Sequence, residues 1–207
     1  MSKFAHRLAI VAGTVVAIAA LPPVAHAQVA SNGITIVIED TELLPGESTN
    51  IRMEAYFGPR DYAVAGIATW LFSSAGAQGL SDPLVIPPME GPGTTPGDIG
   101  DTGVRGIIAG QLNFPATAGI YADDSNPMPF WEVTYTAPID VAAPFDVLLE
   151  SRTSRFDVYF DRGSSSSESR LDDFAEGEGV IRVIPAPAGA LVLAVALGMG
   201  ARRRRDA

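Results

Sequence analysis

The feature that most constrains the fold is a two-residue alternation of apolar and other side chains in short segments. In the first such segment, Ile34, Ile36 and Ile38 alternate with Thr, Val and Glu. An alternation of this period places every second side chain on one face and is typical of a β-strand with one buried face. Further segments that read as strands are 51–55, 65–72, 104–112, 130–136, 145–149, 156–160 and 180–184.

About eight short strands separated by Gly, Pro, Asp and Ser, without a long 3.6-residue apolar period, predict an all-β, antiparallel β-sandwich. A barrel or a jelly roll is the alternative arrangement. We expect residues 151–154 to link two of the strands as a hairpin. The stretches 73–103 and 163–179, rich in Gly and Pro or in Ser and acidic residues, are predicted to be loops. Trp70 and Trp131 lie in the two most apolar strands and are predicted to be core residues.

Residues 1–27 have the pattern of a secretory signal peptide. A basic start precedes an apolar run over residues 8–20. Ala25 and Ala27 supply the small residues of a signal peptidase site, so that the mature chain begins at Gln28. The apolar run is shorter than the ~20 residues with which a helix spans a bilayer. We therefore expect an N-terminal signal helix, export and removal of the signal.

Residues 185–207 form a second targeting pattern. The first three residues are Pro185, Ala186 and Pro187. An uncharged apolar segment follows over residues 188–201. The basic end of the pattern comprises Arg202, Arg203, Arg204 and Arg205. A helix over the apolar segment is marginally long enough to cross a bilayer and would keep its Arg cluster on the cytoplasmic side. This predicts a C-terminal transmembrane helix.

A Pro-x-Pro sequence, a short apolar helix and a terminal Arg cluster together resemble the PEP-CTERM sorting signal of Gram-negative bacteria, with Ala186 where that family usually has Glu. The resemblance implies recognition by an exosortase, a membrane-embedded Cys protease or transpeptidase, which removes the tail. It also implies transient anchoring in the inner membrane and delivery to the cell envelope, the outer surface or an extracellular matrix. An ordinary C-terminal membrane anchor is the alternative. The chain is thus divided into a signal peptide (1–27), a β-sandwich domain (28–184) and a sorting signal (185–207).

The predicted mature domain, residues 28–184, is strongly acidic. It contains eight Arg against 23 Asp and Glu, which gives a net charge of about −15. Such a surface repels the phosphate backbone, so nucleic acid is excluded as a partner. The charge by itself favours the solubility of an exported protein.

The same 157 residues contain no Cys, His or Lys. This composition excludes Ser-His-Asp and Cys-His catalysis, His/Cys zinc sites, Schiff-base lysines and P-loops. A two-carboxylate glycosidase is the remaining catalytic hypothesis and needs two carboxyl groups ~5–10 Å apart. The strand glutamates alternate with apolar residues and are expected to face solvent; they are Glu39, Glu54, Glu132 and Glu150. We therefore predict that the protein is not an enzyme.

The first strand, the sequence Leu-Leu-Pro-Gly-Glu at residues 43–47 and the alternating strand after it are similar to secreted bacterial sandwich modules, cohesins among them. With the sorting signal, this predicts a non-catalytic protein of the cell surface or extracellular matrix whose processing partners are signal peptidase and an exosortase. The alternative is a carbohydrate-binding or cohesin-like adhesion module, with extracellular polysaccharide as a candidate partner. Two or three aromatic side chains exposed on one sheet face would favour that alternative.

Asp123, Asp124 and Asn126 are the candidate metal ligands. Calcium takes about six to eight oxygen ligands, and secreted modules often bind it through short acidic loops of this kind. Pro127 stiffens the segment that follows. A plain turn stabilised by the Asp and Asn side chains is the alternative. No organic cofactor is predicted.

Overall fold

The computed structural model describes residues 31–186, which form two packed β-sheets. The strands are β1 (Asn32–Ile38), β2 (Glu42–Leu43), β3 (Ser48–Tyr56), β4 (Ala63–Ser73), β5 (Leu80–Val85), β6 (Asp98–Gly100), β7 (Gly103–Gly110), β8 (Met128–Thr136), β9 (Phe145–Tyr159), β10 (Ser167–Ser169), β11 (Phe174–Ala175) and β12 (Glu178–Val183). A four-residue helix, α1 (Pro115–Ala118), and a 3-10 turn (Leu171–Asp173) lie between strands.

The first sheet has the strand order β11-β1-β3-β8-β5, and the second has the order β2-β12-β9-β4-β7-β6, with β10 added beside β9. Most neighbouring strands are antiparallel, as the sequence predicts. The pairs β1 with β11 and β2 with β12 are parallel. The all-β prediction is thus confirmed, whereas the predicted number of strands was too low.

The core lies between the two sheets and is built by the alternating positions of the long strands. Ile51 and Met53 of β3 belong to the same buried apolar cluster as Ile67 and Leu71 of β4. Burying an apolar side chain of this size stabilises the fold by about 1.5–3 kcal/mol. Trp131 is 0% exposed, so its predicted core position is confirmed. Its indole Nε1–H donates to the carbonyl of Pro96 at 2.9 Å, which satisfies its single polar group.

The predicted hairpin at residues 151–154 is wrong, because this segment is the middle of β9, a continuous strand of 15 residues. Its hydroxyl groups are used within the sheet. Ser151 is fully buried and donates to the Glu176 carboxylate at 2.6 Å, and Thr153 Oγ1 donates to the same carboxylate at 2.8 Å. Small polar residues resemble a turn in sequence, but here a carboxylate from another part of the chain stabilises them in an extended strand.

The two segments predicted to be loops contain strands as well. Residues 73–103 include β5 and β6, and residues 163–179 include β10 and β11. β5 is an edge strand that carries Pro83 and a left-handed Asp82 (φ 55°), which explains why its sequence lacks a regular strand pattern. Short or interrupted edge strands of this kind leave few unpaired backbone groups for another chain to join.

β9 connects the two ends of the sandwich. Its first residue, Phe145, is paired with Val183, the last residue of β12, at what we call the exit end. Its last residue, Tyr159, donates through its hydroxyl to the carbonyl of Gln111 at 3.0 Å, at what we call the loop end. A strand of 15 residues spans roughly 45 Å. The chain therefore leaves the domain about one strand length away from the loop that contains Gln111.

Candidate interaction surface on the second sheet

The outer face of the second sheet carries large side chains that the core does not take up. On β4, residues 67, 69, 71 and 73 are buried, and the residues between them face outwards. Trp70 is therefore 46% exposed, and its predicted core position is wrong. The error has a physical reason: β4 is apolar on both faces, so its sequence does not reveal which alternate set packs against the first sheet.

Trp70 lies beside a stacked pair of side chains from two strands. Trp70 of β4 is directly opposite Arg152 of β9. The Arg152 guanidinium lies over the ring of Phe72, with 4.7 Å between Cζ and the ring centroid. Arg152 also pairs with Glu150 at 3.2 Å, an exposed ion pair that contributes little stability. The stacking places the guanidinium over Phe72 and in the same hollow that Trp70 lines.

A small hollow of about 90 Å³ lies between these groups. Trp70, Phe72 and Arg152 line it together with Arg105 of β7. The Arg105 guanidinium donates to Thr102 Oγ1 at 3.0 Å and forms no ion pair with any carboxylate in residues 31–186. We call these four residues the Trp70 patch. It combines two aromatic rings with two cations in a domain that is otherwise strongly acidic.

Exposed aliphatic residues continue the patch towards the edge formed by β12. Leu148 of β9 is 54% exposed and lies directly opposite Val180 of β12, which is 46% exposed. Both stand at outward positions, and the outward positions on either side of each, two residues away along the strand, are charged. Both residues belong to the predicted strands, and their outward position is readable from the alternation. They were not among the predicted site residues, because a single aliphatic side chain on a strand carries no functional signal in the sequence.

A groove of about 270 Å³ adjoins the patch on the side of the loop end. Gly66, Ala68 and Gly110 are among its lining residues, where their small size leaves the backbone accessible. Ile108, which is opposite Ala68 and 44% exposed, also lines this groove. The outer face of the second sheet therefore carries two adjacent hollows and is partly apolar.

The outer face of the first sheet is different in character. Its central strands carry cross-strand polar pairs: Ser48 with Thr136 at 2.8 Å, and Asn50 with Thr134 at 3.2 Å. Within residues 31–186, the exposed large apolar residue on a strand of this sheet is Leu84, on the edge strand β5. Exposed apolar side chains are thus concentrated on the second sheet, which makes its outer face the better candidate for an interaction surface.

The candidate calcium ligands make local hydrogen bonds. Asp123 Oδ1 accepts from Ser125 N at 2.9 Å and from Ser125 Oγ at 2.5 Å, and these bonds hold the pKa of Asp123 below its usual range. The Asn126 amide donates to the carbonyl of Phe57 at 2.8 Å and accepts from its N–H at 3.3 Å. Asp124 is exposed. In the described part of the chain, no three Asp, Glu, His or Cys side chains form a group suited to a metal ion. Calcium binding stays a prediction.

The predicted processing sites lie almost entirely beyond the described residues. Pro185 and Ala186 follow directly after β12 and Ile184, whose N–H donates to the carbonyl of Leu43 at 2.9 Å. Ala186 is exposed and Pro185 is partly buried. The sites outside the described residues are Ala25, Ala27, Gln28, Pro187, Arg202, Arg203, Arg204 and Arg205. No helix between residues 31 and 186 has the length and apolar character needed to cross a bilayer. The predicted signal and transmembrane helices lie outside this range.

Comparison with known proteins places cohesin modules among the similar solved structures. No family model and no curated protein matches the chain. A cohesin module of a family 33 glycoside hydrolase from Clostridium perfringens is 11% identical, with 76% of this chain and 99% of that chain covered and a TM-score of 0.48. A type I cohesin from Pseudobacteroides cellulosolvens is 14% identical, with coverages of 75% and 93% and a TM-score of 0.47. A chain of a type I cohesin–dockerin complex from Clostridium thermocellum is 11% identical, with coverages of 77% and 99% and a TM-score of 0.48.

Proposed function

We propose that the chain is a non-catalytic adhesion module that binds a protein partner through the Trp70 patch. The observation that carries the proposal is the half-exposed Trp70 beside a stacked Arg152–Phe72 pair on one sheet face, while the other sheet presents polar pairs. Trp and Arg side chains dominate the binding energy of protein interfaces, especially where a small hollow lies beside them. A cohesin-like mode of adhesion is consistent with this arrangement.

The charge of the patch indicates the chemistry of the partner. Arg105 has no carboxylate partner among the described residues. Among the same residues, Arg152 forms an ion pair only with the exposed Glu150. We expect the partner to present an apolar side chain for the hollow beside Trp70 and an acidic group for Arg105. A carboxylate brought to Arg105 would form a two-pronged hydrogen bond, which fixes the orientation of the bound segment.

A further observation favours binding over catalysis. Glu54 and Glu150, two of the strand glutamates considered as catalytic groups, are paired with Arg52 and Arg152.

We also propose that the module is exported, that signal peptidase removes its signal peptide, and that an exosortase then sorts it to the cell surface or matrix. The Pro-Ala-Pro sequence begins two residues after the end of β12, so the tail would leave the domain at the exit end. The Trp70 patch lies in the middle of the sheet and would stay accessible while the tail was still anchored. Mass spectrometry of both termini of the native protein tests this part, and a product that still ends at Ala207 would contradict it.

Binding to the native envelope or matrix tests the adhesion proposal. We would strip this fraction of the protein with high salt and measure rebinding of purified wild-type protein, Trp70→Ala and Leu84→Ala. Leu84 is a matched control because it has a similar exposed fraction but lies on the first sheet. We expect Trp70→Ala to weaken rebinding by roughly 30-fold or more, as for an interface hot spot, and Leu84→Ala to leave it unchanged.

Protease treatment of the stripped fraction identifies the class of partner. Loss of wild-type rebinding after this treatment would agree with a protein partner, whereas loss after glycosidase treatment alone would overturn it in favour of polysaccharide. Equal rebinding by Trp70→Ala and the wild type would exclude the patch as the adhesive surface.

A further inference from the structure

A second exposed apolar surface lies at the loop end, apart from the Trp70 patch. The segment between β7 and β8 folds back on itself, with Phe114 and Ile120 paired through backbone hydrogen bonds of 2.9 and 3.4 Å. Four large side chains of this segment are 37–50% exposed, namely Leu112, Phe114, Ile120 and Tyr121. A loop that only closed the sandwich would turn such side chains inwards.

The loop is held firmly by buried polar groups. Asn113 is 0% exposed, and its amide donates to the carbonyl of Ser164 at 2.7 Å and accepts from the N–H of Ala122 at 3.1 Å. The Gln111 amide donates to the carbonyls of Val64 and Asp123 at 2.7 and 2.9 Å. These bonds fasten both arms of the loop to β4 and to the segment after β9. The exposed side chains are therefore presented from a fixed backbone.

Tyr121 is positioned by a cation on one face of its ring. The Arg162 guanidinium lies over the ring with 4.3 Å between Cζ and the centroid. Half of the side chain is nevertheless exposed. Because Arg162 covers one face, the ring offers its other surface as a flat apolar platform with a fixed orientation.

A shallow hollow of about 460 Å³ adjoins this platform. Tyr121, Ile120 and Leu112 contribute its apolar lining, and Glu90 and Asp123 contribute carboxylates. The Glu90 carboxylate makes no ion pair with any residue between 31 and 186, and Asp123 uses only Oδ1 in its bonds to Ser125. The volume lies within the range of small-molecule sites, about 300–1,000 Å³.

We propose that this hollow is a binding site for a neutral glycan. A pyranose ring has an apolar face of C–H groups, which stacks on an aromatic ring, and a rim of hydroxyl groups, which donate to carboxylates. Tyr121 with Ile120 supplies the stacking surface, and Glu90 and Asp123 supply the acceptors. The ligand is distinct from the protein partner of the Trp70 patch, and the site lies about a strand length from the exit end, where the predicted tail begins.

The charges around the hollow favour a neutral ligand over an anionic one. The carboxylates of Glu90 and Asp123 repel an anionic polymer or a phosphate group. The same carboxylates would attract a cation, so a titration with a cationic peptide must accompany the titration with sugars. The flat ring of Tyr121 beside the aliphatic side chain of Ile120 suits the apolar face of a sugar ring, which is why we favour the neutral glycan.

Isothermal titration calorimetry with defined oligomers tests the site. The protein is purified as its cells process it and titrated with cellohexaose, xylohexaose, mannohexaose and maltohexaose, and separately with hexalysine. We expect at least one neutral hexaose to bind, Tyr121→Ala to weaken its binding roughly fivefold or more, and Tyr121→Phe to bind within about twofold of the wild type, because Phe retains the stacking face.

Two controls separate glycan binding in this hollow from binding at the Trp70 patch and from a loss of folding. Trp70→Ala should leave hexaose binding unchanged, so that a failure of the adhesion proposal and a failure of this one are distinguishable. Near-ultraviolet circular dichroism checks that Tyr121→Ala is folded, and Ile120→Ala serves as a second variant of the platform. The proposal is overturned if none of the four hexaoses binds, if binding is unaffected by both variants, or if hexalysine binds and Glu90→Gln abolishes that binding.

Discussion

Trp70 and Arg152 are directly opposite each other on β4 and β9, yet the Arg152 guanidinium lies over Phe72 and not over the indole. The cation is therefore engaged two residues further along β4, and both the indole and the hollow beside it stay accessible. This arrangement leaves the Trp70 indole available to a partner, while the contact with Phe72 limits the conformations of the Arg152 side chain.

Replacing Arg152 with Lys should weaken partner binding although the charge is kept. Lys has no planar group to stack on Phe72, so its ammonium would leave the ring and take up the space beside Trp70. We expect roughly a threefold to tenfold loss of affinity in the envelope rebinding assay. The urea midpoint should change little, since exposed pairs contribute about 0–1 kcal/mol. Unchanged binding by Arg152→Lys would show that the charge alone matters.

The Asp173 carboxylate makes the stability depend on pH. It accepts from Ser31 Oγ at 2.5 Å and from Ser31 N at 3.2 Å, and these bonds lower its pKa from the usual 3.8. Because the pKa is lower in the folded than in the unfolded state, the stabilisation is present above pH ~4 and is lost as the pH falls through the folded-state pKa. Ser31→Ala should be less stable at neutral pH, with a difference from the wild type that shrinks below pH 4.

Thermal unfolding at a series of pH values from 7 to 3 measures this difference. Ser81→Ala is the control, because within residues 31–186 the Ser hydroxyls that donate to carboxylates are those of Ser31, Ser125 and Ser151. A difference between Ser31→Ala and the wild type that stays constant across this range would contradict the linkage to Asp173.

Gly103 is required by the turn between β6 and β7. Its φ is +120°, and an added Cβ would collide with the carbonyl oxygen of Leu71 on the neighbouring strand. We expect Gly103→Ala to lower the free energy of unfolding by about 1–3 kcal/mol. Gly100 is the matched control at the other side of the turn, since a Cβ there meets no atom within 4 Å. Equal urea midpoints for Gly103→Ala and Gly100→Ala would contradict a steric requirement for glycine at position 103.

Glu176 links the segment just before β12 to the middle of β9. Its carboxylate accepts from Ser151 Oγ at 2.6 Å, from Thr153 N at 2.6 Å and from Thr153 Oγ1 at 2.8 Å. Glu176→Ala leaves the buried Ser151 hydroxyl and the Thr153 N–H without this acceptor, so we expect a loss of about 1–3 kcal/mol of stability in urea titration. Glu178→Ala, at an exposed position of β12, should change stability by less than about 0.5 kcal/mol.

The strands that a sequence can predict are those with one buried face. β1, β3 and β8 alternate between apolar and polar side chains, and the structure places them where the pattern indicates. β5 was not predicted, because Pro83 and the left-handed Asp82 interrupt its pattern. β5 is extended because it pairs with β8, and the local sequence pattern cannot reveal a strand of that kind.

The candidate interaction surface was predicted only in part. Aromatic residues exposed on one sheet face were expected to favour adhesion, but Trp70 itself was assigned to the core. The two arginines of the patch, Arg105 and Arg152, come from β7 and β9 and lie about 35 and 80 residues after Trp70 in the chain. Their meeting depends on the pairing of β4 with both strands, and a spacing in sequence cannot reveal it.

The sequence by itself determined the all-β class and the chemistry that the domain lacks. Both follow from local facts: an alternation of two residues specifies a strand, and a domain without Cys, His or Lys has no nucleophile or metal ligand of those types. Only the tertiary structure decided which face of β4 is outside and which carboxylate satisfies the middle of β9. These outcomes depend on pairing between distant strands, whose free energy is shared among residues far apart in the chain.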